Sequence, residues 1–390
     1  MNILYVNPRS MSEPSGGGLE SRKIYTLLLR LSQKQPGWVF KCISTDQVDE
    51  IHLASVKKTK IKDVLARLFG HSNYLWWSWH FSDLRHIMVS FNPDLLVLGS
   101  SRLGFIARDI KKISPSVRII GQYQNVELDY VYSAHRVEKV SLQALVRQLE
   151  YALVKRDEGL FGRHIDAALF LTRRDQYRTQ RIYQVQIEKS AIIPICLESK
   201  NGMLQKNSQG RQVLAFIGSL WYDSNVEGLR WFLAEVWPML RQKNEHVHLI
   251  IGGSRPSLAL EKELGQQPGV ELYADFSNIE DILPASAIMI SPILKGAGMK
   301  VKIAEALSLG LRIVGSTESF VGYEELLEDP ASTGIVQVAN HKEEYLRSLY
   351  EMLQETPMDV AVRAKSLQQQ YYSLERASSQ LSQLLLEVMA

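Results

Sequence analysis

A chain of 390 residues is long enough for about two or three domains that each bury a core. Its 45% hydrophobic and 22% charged residues are ordinary for a globular chain, and a net charge of +3 is too small to point to nucleic acid. No apolar run reaches membrane-span length and no signal-peptide pattern precedes the first strand, so we expect a cytoplasmic setting, with room for peripheral contact at the inner face of the membrane. Cys42 and Cys196 lie in or beside apolar runs and read as buried free thiols, not as a disulfide or metal ligands.

Ile3 to Val6 reads as a first buried strand. A polar loop and the triplet Gly16-Gly17-Gly18 follow, then a helical pattern from Leu19 to Leu31. That order brings backbone close to a diphosphate or an acceptor. A flexible loop fits the same residues. No glycine spacing here makes a dinucleotide fingerprint. Val39 to Ile43 is a second strand. Between Ile51 and Ser90 the character changes. Lys57, Lys58, Lys60 and Lys62 precede Leu65 to Phe69, and Tyr74, Trp76, Trp77, Trp79 and Phe81 follow. Basic residues beside interfacial aromatics suit an anionic membrane surface or a lipid-linked acceptor, so 57–81 is a candidate for peripheral membrane contact. Aromatic clusters are more often core, with the lysines on a solvated face.

Asp94 to Leu98 and Val117 to Ile120 are further strands, the second running into Gly121-Gln-Tyr-Gln-Asn-Val-Glu127. Ser141 to Phe161 is a long helical pattern whose Arg147, Glu150, Lys155, Arg156 and Glu158 read as surface charges. Asp166 to Leu171 is a strand, and Thr172 with Asp175 has the spacing of a helix cap. Ala191 to Ile195 closes the first half, and the polar stretch Lys200 to Gln212 reads as a linker between a domain of 1–200 and one of 201–365. Val213 to Ile217 opens a new sheet and ends at Gly218-Ser219, whose N–H groups suit a diphosphate. Val247 to Ile251 ends in Gly252-Gly253-Ser254, and Val270 to Phe276 is a short strand and turn.

Ile288 to Glu324 is the most informative stretch. An apolar strand, Ala287 to Ile290, leads into the loop Lys295-Gly296-Ala297-Gly298. A helix from about Met299 to Leu309 follows, stopped by Gly310, and Leu311 to Val314 is the next strand. The glycines permit close backbone approach, the helix start offers N–H groups to an anion, and Lys295, Lys300 and Lys302 crowd the same place. Glu305 lies four residues from both Val301 and Leu309, inside an apolar helical stripe. Its carboxylate should be desolvated and in need of donors such as ribose hydroxyls. A glycine turn and a lysine-paired glutamate is the plainer alternative. Beyond it, Ser319 and Phe320 have backbone N–H groups for the same ligand. Ile335 to Val338 is a last strand, and a helical tail runs from Val360 to Met389.

The run GAGMKVKIAEALSLGLRIVGSTESFVGYE resembles the donor-site signature of family 4 retaining glycosyltransferases of the GT-B fold. It is similar to the branch with a Gly-Ser/Ala-Gly-x-Arg/Lys-x-Lys loop before a Glu-Ala-Leu helix. The resemblance runs over most of the chain. It implies an α/β fold of two doubly wound Rossmann-like domains facing a cleft, with a last helix, 366–390, returning to the first domain. It also implies a hexosyltransferase-type enzyme that moves a sugar, with retention, from a nucleotide-sugar to an acceptor hydroxyl. UDP-sugars are favoured, GDP-sugars come next, and no metal or other cofactor is expected. Polysaccharide, glycolipid or glycoconjugate synthesis would be the setting, with a sugar, lipid-linked or protein acceptor.

On this resemblance the donor would meet Gly17 and Gly18, Gly218 and Ser219, Gly252 and Gly253, Asp275 and Phe276, and the run Gly296, Ala297, Gly298, Met299, Lys300, Val301, Lys302 with Glu305. Gly16, Asn125 and Glu127 would face the acceptor, and Gln124, Lys302 and Glu305 are the catalytic candidates. Gln124 stands where the branch has the histidine of a His-Asn-Val-Glu motif; an amide still donates and accepts but does not titrate. Ala297 stands where many members have a second glutamate. Trp221, Tyr222, Asp223 and Asn225 follow the strand after which many members place an arginine and a lysine, leaving Lys300 and Lys302 to supply the charge. A catalytically weak binding or regulatory subunit of a glycosylation system is the competing reading. An epimerase or phosphorylase fits less well, for want of an acid pair or a cofactor-lysine pattern.

Overall fold

The structure, a computed structural model, describes residues 1–13, 15–46, 52–81, 84–133, 142–198, 204, 212–354 and 359–390. Internal contacts divide the chain into one unit of Met1–Pro194 with Leu374–Ala390 and a second of Ile195–Ser373. The stretch read as a linker, Lys200 to Gln212, lies almost wholly outside the described residues.

The first unit runs β1 (Asn2–Val6), α1 (Gly16–Lys34), β2 (Val39–Ser44), β3 (His52–Ser55), α2 (Lys60–Leu68), α3 (Leu75–Phe81), α4 (Leu84–Phe91), β4 (Leu95–Leu98), α5 (Gly104–Ile113), β5 (Arg118–Tyr123), α6 (Glu127–Ser133), α7 (Leu142–His164), β6 (Ala167–Phe170), α8 (Arg173–Tyr183) and β7 (Lys189–Ile192). The strands form one sheet in the order β3-β2-β1-β4-β5-β6-β7, every pairing parallel. Parallel pairing needs crossover helices, and these cover both faces. The inner strands are therefore continuous apolar runs, such as the fully buried Leu95–Leu98. Thr172 caps α8 as its spacing with Asp175 predicts, accepting from Asp175 N at 3.0 Å. The edge strand β3 was not legible: four residues, paired only with β2 across a register shift.

The aromatic half of 57–81 belongs to the core. Tyr74, Trp76 and Trp79 pack in one buried cluster with Phe105, Ile106 and Ala107 of α5. His71 and Ser72 anchor this segment to Asp157 of α7, the Ser72 N–H donating at 2.6 Å.

The second unit runs β8 (Gln212–Ile217), α9 (Asp223–Glu235), α10 (Trp237–Lys243), β9 (Val247–Gly253), α11 (Leu258–Gly265), β10 (Val270–Ala274), β11 (Ile288–Ser291), α12 (Val301–Ser308), β12 (Arg312–Gly315), α13 (Glu324–Glu328), β13 (Val336–Val338), α14 (Lys342–Gln354) and α15 (Val360–Tyr372). Its sheet is parallel throughout, in the order β10-β9-β8-β11-β12-β13. The helical tail is two helices. The chain turns extended at Ser373, where Gln368 Nε2 donates to the Tyr372 carbonyl, and α16 (Leu374–Met389) then packs on α1 and β7 of the first unit. Cys42 and Cys196 are buried free thiols.

Candidate functional site

A doubly wound sheet opens a crevice at the carboxyl ends of its strands where the strand order reverses. In the second unit that place lies between β8 and β11. β8 ends there at Gly218-Ser219. Gly253, ending β9, closes on it so tightly that a Cβ would fall 2.0 Å from the Gly218 carbonyl oxygen. A Cβ on Gly218 would in turn fall 2.9 Å from Lys302 Nζ and 3.0 Å from the side-chain nitrogen of Asn225. Gly218, Gly253, Asn225 and Lys302 are thus one cluster.

Lys302 is its unusual member. The residue is 8% exposed. Its ammonium donates to Asn225 Oδ1 at 3.0 Å and lies 4.2 Å from the centre of the Phe216 ring. Burial, then the charge of Lys300, lowers its pKa to about 7, against a smaller opposing pull from Glu305. Lys300 donates to Gly298 O at 2.8 Å and to Glu318 Oε1 at 3.1 Å. Gly298 holds the turn at φ +67, a conformation that favours glycine. Both lysines stand at the amino end of α12, the positive pole of the helix dipole, and the N-cap residue Lys300 makes no side-chain cap of its own. Tyr323 fixes the turn, donating to Lys300 O at 2.7 Å and accepting from Ala304 N at 3.2 Å. Glu318 neutralises Lys300, whereas Lys302 is buried against Asn225 and the Phe216 ring at the start of a helix, a place where an anion is favoured.

Glu305 departs from expectation. Lys302, Ile303, Ala304, Ala306, Leu307 and Ser308 are buried, while Val301 and Glu305 are half-exposed. The Val301–Glu305 stripe is the partly exposed side of α12, and the charge on its buried side is Lys302. The helix also starts two residues later than its pattern implied. Ser319 and Phe320 are buried, and the Ser319 N–H donates to Ser316 O at 2.9 Å. Of the remaining donor candidates, Ser219, Gly296 and Ala297 are half-exposed, Met299 is buried, and its sulfur accepts the Ile195 N–H at 3.3 Å.

The far side of the crest holds a pair that the sequence did not announce. Arg255 follows Ser254, and its guanidinium carbon lies 4.8 Å from the centre of the exposed Trp221 ring. Leu220 N donates to Ser254 O at 3.0 Å, which joins the two loops. The Arg255 N–H donates to Asp275 Oδ1 at 2.9 Å, and Asp275 N donates to Gly253 O at 2.9 Å. Arg255 and Asp275 both hold positive φ, +49 and +48, which is uncommon for residues with side chains. The Phe276 ring covers Gly252, where a Cβ would fall 2.8 Å from it. The one sequence signal for Arg255 is a basic residue two positions after a strand that ends in glycines.

In the first unit the reversal lies between β1 and β4. Gly16, Gly17 and Gly18 are not a loop here but the first turn of α1, capped by Ser15, whose Oγ accepts the Gly18 N–H at 3.2 Å. The cap supplies what three glycines lack in helix propensity. Gln124, ending β5, is 5% exposed. Its amide nitrogen donates to Gly99 O at 3.2 Å and to Ser21 Oγ at 3.3 Å. Asn125 is half-exposed. Glu127 is buried and held by Arg102 Nε at 2.8 Å.

Glu158 is a correction. Read as a surface charge, it is fully buried. Its carboxylate accepts from Ser101 Oγ at 2.8 Å, Tyr183 OH at 2.5 Å, Glu127 N at 3.1 Å and Leu128 N at 3.3 Å, so it caps α6 from α7. Burial raises its pKa to about 7. Packing of α7 against α5, α6 and α8 explains the error: Glu158 lies on the side that meets Ser101, the start of α6 and Tyr183, and the exposed side of the helix is elsewhere. Lys155 and Arg156 are exposed as expected, Glu150 pairs with Arg102 at 3.3 Å, and the side chain of Arg147 lies outside what is described. Among the described residues, no group of three or more His, Cys, Asp or Glu is placed to hold a metal ion.

These are two Rossmann-like units, one with Lys300 and Lys302 at the crest of its sheet. Residues 211–355, less than half of the chain, match the family of glycosyl transferases group 1. A Klebsiella pneumoniae protein, described as an uncharacterized 44.6 kDa protein in the cps region, is 30% identical over 109 residues. That match covers 26% of this chain and 28% of the relative, so the chain aligns with under a third of that relative's length. Anabaena HepE, solved with UDP and glucose, superposes with a TM-score of 0.66 at 14% identity, over 99% of this chain and 100% of that one. A glycosyltransferase from Rickettsia africae gives 0.63 at 13% identity, over 100% and 98%. WaaG, a glycosyltransferase involved in lipopolysaccharide biosynthesis, gives 0.59 at 15% identity, over 97% and 98%. The fold of the chain is GT-B.

Proposed function

We propose that this chain is a family 4 retaining glycosyltransferase that moves a sugar from a nucleotide-sugar, UDP-linked before GDP-linked, to an acceptor hydroxyl. The observation that carries the reading is the buried Lys302 beside Lys300 at the start of α12, packed against Gly218 where the second sheet reverses its order. These groups take up the charge of the departing diphosphate. The half-exposed Glu305 carboxylate holds ribose hydroxyls, and the crest around Gly252, Asp275 and Phe276 receives the base. Gln124 orients the transferred sugar without titrating, and Gly16, Asn125 and Glu127 serve the acceptor side. The reaction needs no metal, so a chelator leaves its rate unchanged.

Support comes from the group 1 match over 211–355 and from HepE, which was solved with UDP and with UDP-glucose. The cps-region relative favours polysaccharide synthesis, on a sugar or lipid-linked acceptor, with residues 57–81 meeting the inner face of a membrane. The test is a thermal-shift panel of UDP, GDP, ADP and their sugars, followed by nucleotide release from the best donor. A ligand at a hundred times its dissociation constant adds about 2.7 kcal/mol. No shift with any of them sinks the proposal. One observation favours a second reading: the Gln124 amide is bound within its own unit, to Gly99 and Ser21. A regulatory subunit would show the shift and release no nucleotide with any acceptor.

A further inference from the structure

The partners of the buried Lys302 are neutral. Its ammonium donates to Asn225 Oδ1 at 3.0 Å and lies 4.2 Å from the centre of the Phe216 ring. Asn225 is itself fixed at both ends. Its N–H donates to Tyr222 O at 3.0 Å, at the start of α9, and its Nδ2 donates to Ser219 O at 3.0 Å. One half-buried amide therefore ties Lys302 to the turn that ends β8. Both side chains close over Gly218, which has no side chain to hold them off. The charged groups that bear on Lys302 are on its own turn: Lys300, which lowers its pKa, and Glu305, which raises it. Lys300 is in turn paired with Glu318 at 3.1 Å. From β8 and α9 the lysine meets a ring and an amide. A carboxylate would hold a buried ammonium more firmly than an amide does, yet Asp223, two residues before Asn225, is exposed.

We infer that Asn225 is a positioning residue for the donor: its amide aims Lys302 at the turn Gly218-Ser219 and leaves the ammonium charge free for a diphosphate. This rests on the donor reading of the site and adds a division of labour to it. Lys300 already has a carboxylate, so the cation without one is Lys302, and its neutral partner keeps it that way. An acid at position 225 would form an ion pair with Lys302, and a diphosphate would then meet a like charge. An apolar residue there would leave the ammonium harder to charge. The two changes move Lys302 in opposite directions. A residue that merely braced the loop would not do so.

The experiment follows Lys302 in the full chain by NMR of carbon-13-labelled lysine across the pH range, with its signal identified by its loss in Lys302→Met. UDP affinity is measured at each pH on the same samples. Asn225→Asp should move the Lys302 titration upward by about one pH unit or more, and Asn225→Ala should move it downward. Below pH 7, Asn225→Asp should weaken UDP by roughly tenfold or more, and its affinity should stay level where the parent's falls. In Asn225→Ala the fall should begin at lower pH than in the parent. This second variant carries the test if Asn225→Asp does not fold, because Ser219 is half-exposed and water can take over its carbonyl. A Lys302 titration that neither change moves overturns the inference. So do variants that bind UDP with the parent's pH profile. A parent that binds no nucleotide at any pH overturns the donor reading and this inference with it, and the parent alone shows that outcome.

Discussion

Each sheet reverses its strand order once, and the two reversals are built differently. In the first unit the groups that meet there satisfy one another. Gln124 is bound to Gly99 and Ser21, Glu127 to Arg102, and Glu158 collects four donors. In the second unit a cation is buried on a neutral partner. Lys302 donates to Asn225 and lies against the Phe216 ring, beside the Lys300–Glu318 pair. The same topology thus supplies a closed polar web in one unit and a buried cation with a neutral partner in the other. Residues that stabilise a fold and residues held at a cost for a ligand separate on this comparison.

The largest expected effect tests the strained side. Lys302→Met should weaken UDP-sugar binding or turnover by roughly 100-fold to 1,000-fold, about 3–4 kcal/mol. It should not lower stability, because it replaces a desolvated cation with an apolar chain of similar size. Urea unfolding and titration calorimetry check the two halves, and a variant that unfolds more easily would show Lys302 to be structural. The pH dependence has a definite sign. The free Lys302 titrates at about 7, so a bound diphosphate must recruit a proton above that pH. Affinity for a UDP-sugar, whose diphosphate keeps its charge over this range, should be highest below pH 7 and fall up to tenfold per unit above it. The variant should lose that slope.

The satisfied side should behave in the opposite way. Glu158→Gln places an amide NH2 against hydroxyl and N–H donors and should cost about 1–3 kcal/mol of stability. Donor affinity should hardly move. Its pH dependence also has a fixed sign. A carboxyl whose folded pKa is raised to about 7 contributes stability that is fully present below its unfolded value and is lost as pH rises through 7. The urea midpoint of the parent should fall between pH 5 and 8, and the variant should show a flatter curve. A large loss of donor affinity with unchanged stability would reverse the assignment.

How far each side was legible follows from packing. The inner strands could be read because a parallel strand covered on both faces is a continuous apolar run, as in Leu95–Leu98 and Ile288–Ile290. Edge strand β3 has no such run. The strand–loop–helix–strand order around 295–302 could be read, but the spacing of α12 does not say which side of it faces the sheet. Glu305 reads as the inward carboxylate and Lys302 as one of several lysines, whereas the structure buries Lys302 and leaves Glu305 partly exposed. Glu158 failed for a related reason: α7 has packing partners in α5, α6 and α8, and a polar periodicity then no longer means solvent. In α2, Ile61, Val64 and Leu68 have the spacing of a core face and stand in water, so spacing there does not report burial.

The smallest effect concerns Arg255, which sequence spacing did not single out. Its guanidinium rests on Trp221, and its N–H is held by Asp275, with both Arg255 and Asp275 at positive φ. A backbone strained at two adjoining loops, with a cation stacked on an exposed ring beside them, places a flat charged edge at the end of β9. If that edge steadies the nucleotide, Trp221→Ala should weaken UDP binding by about twofold to fivefold, the worth of one exposed cation–π contact. Arg255→Gly would relax the positive φ as well as remove the cation. It should therefore hold or raise the melting temperature while weakening UDP at least as much. Stability and affinity falling together in Arg255→Gly would mean that the pair braces the loops and does not serve the ligand, and the cationic side of the comparison would shrink to Lys300 and Lys302.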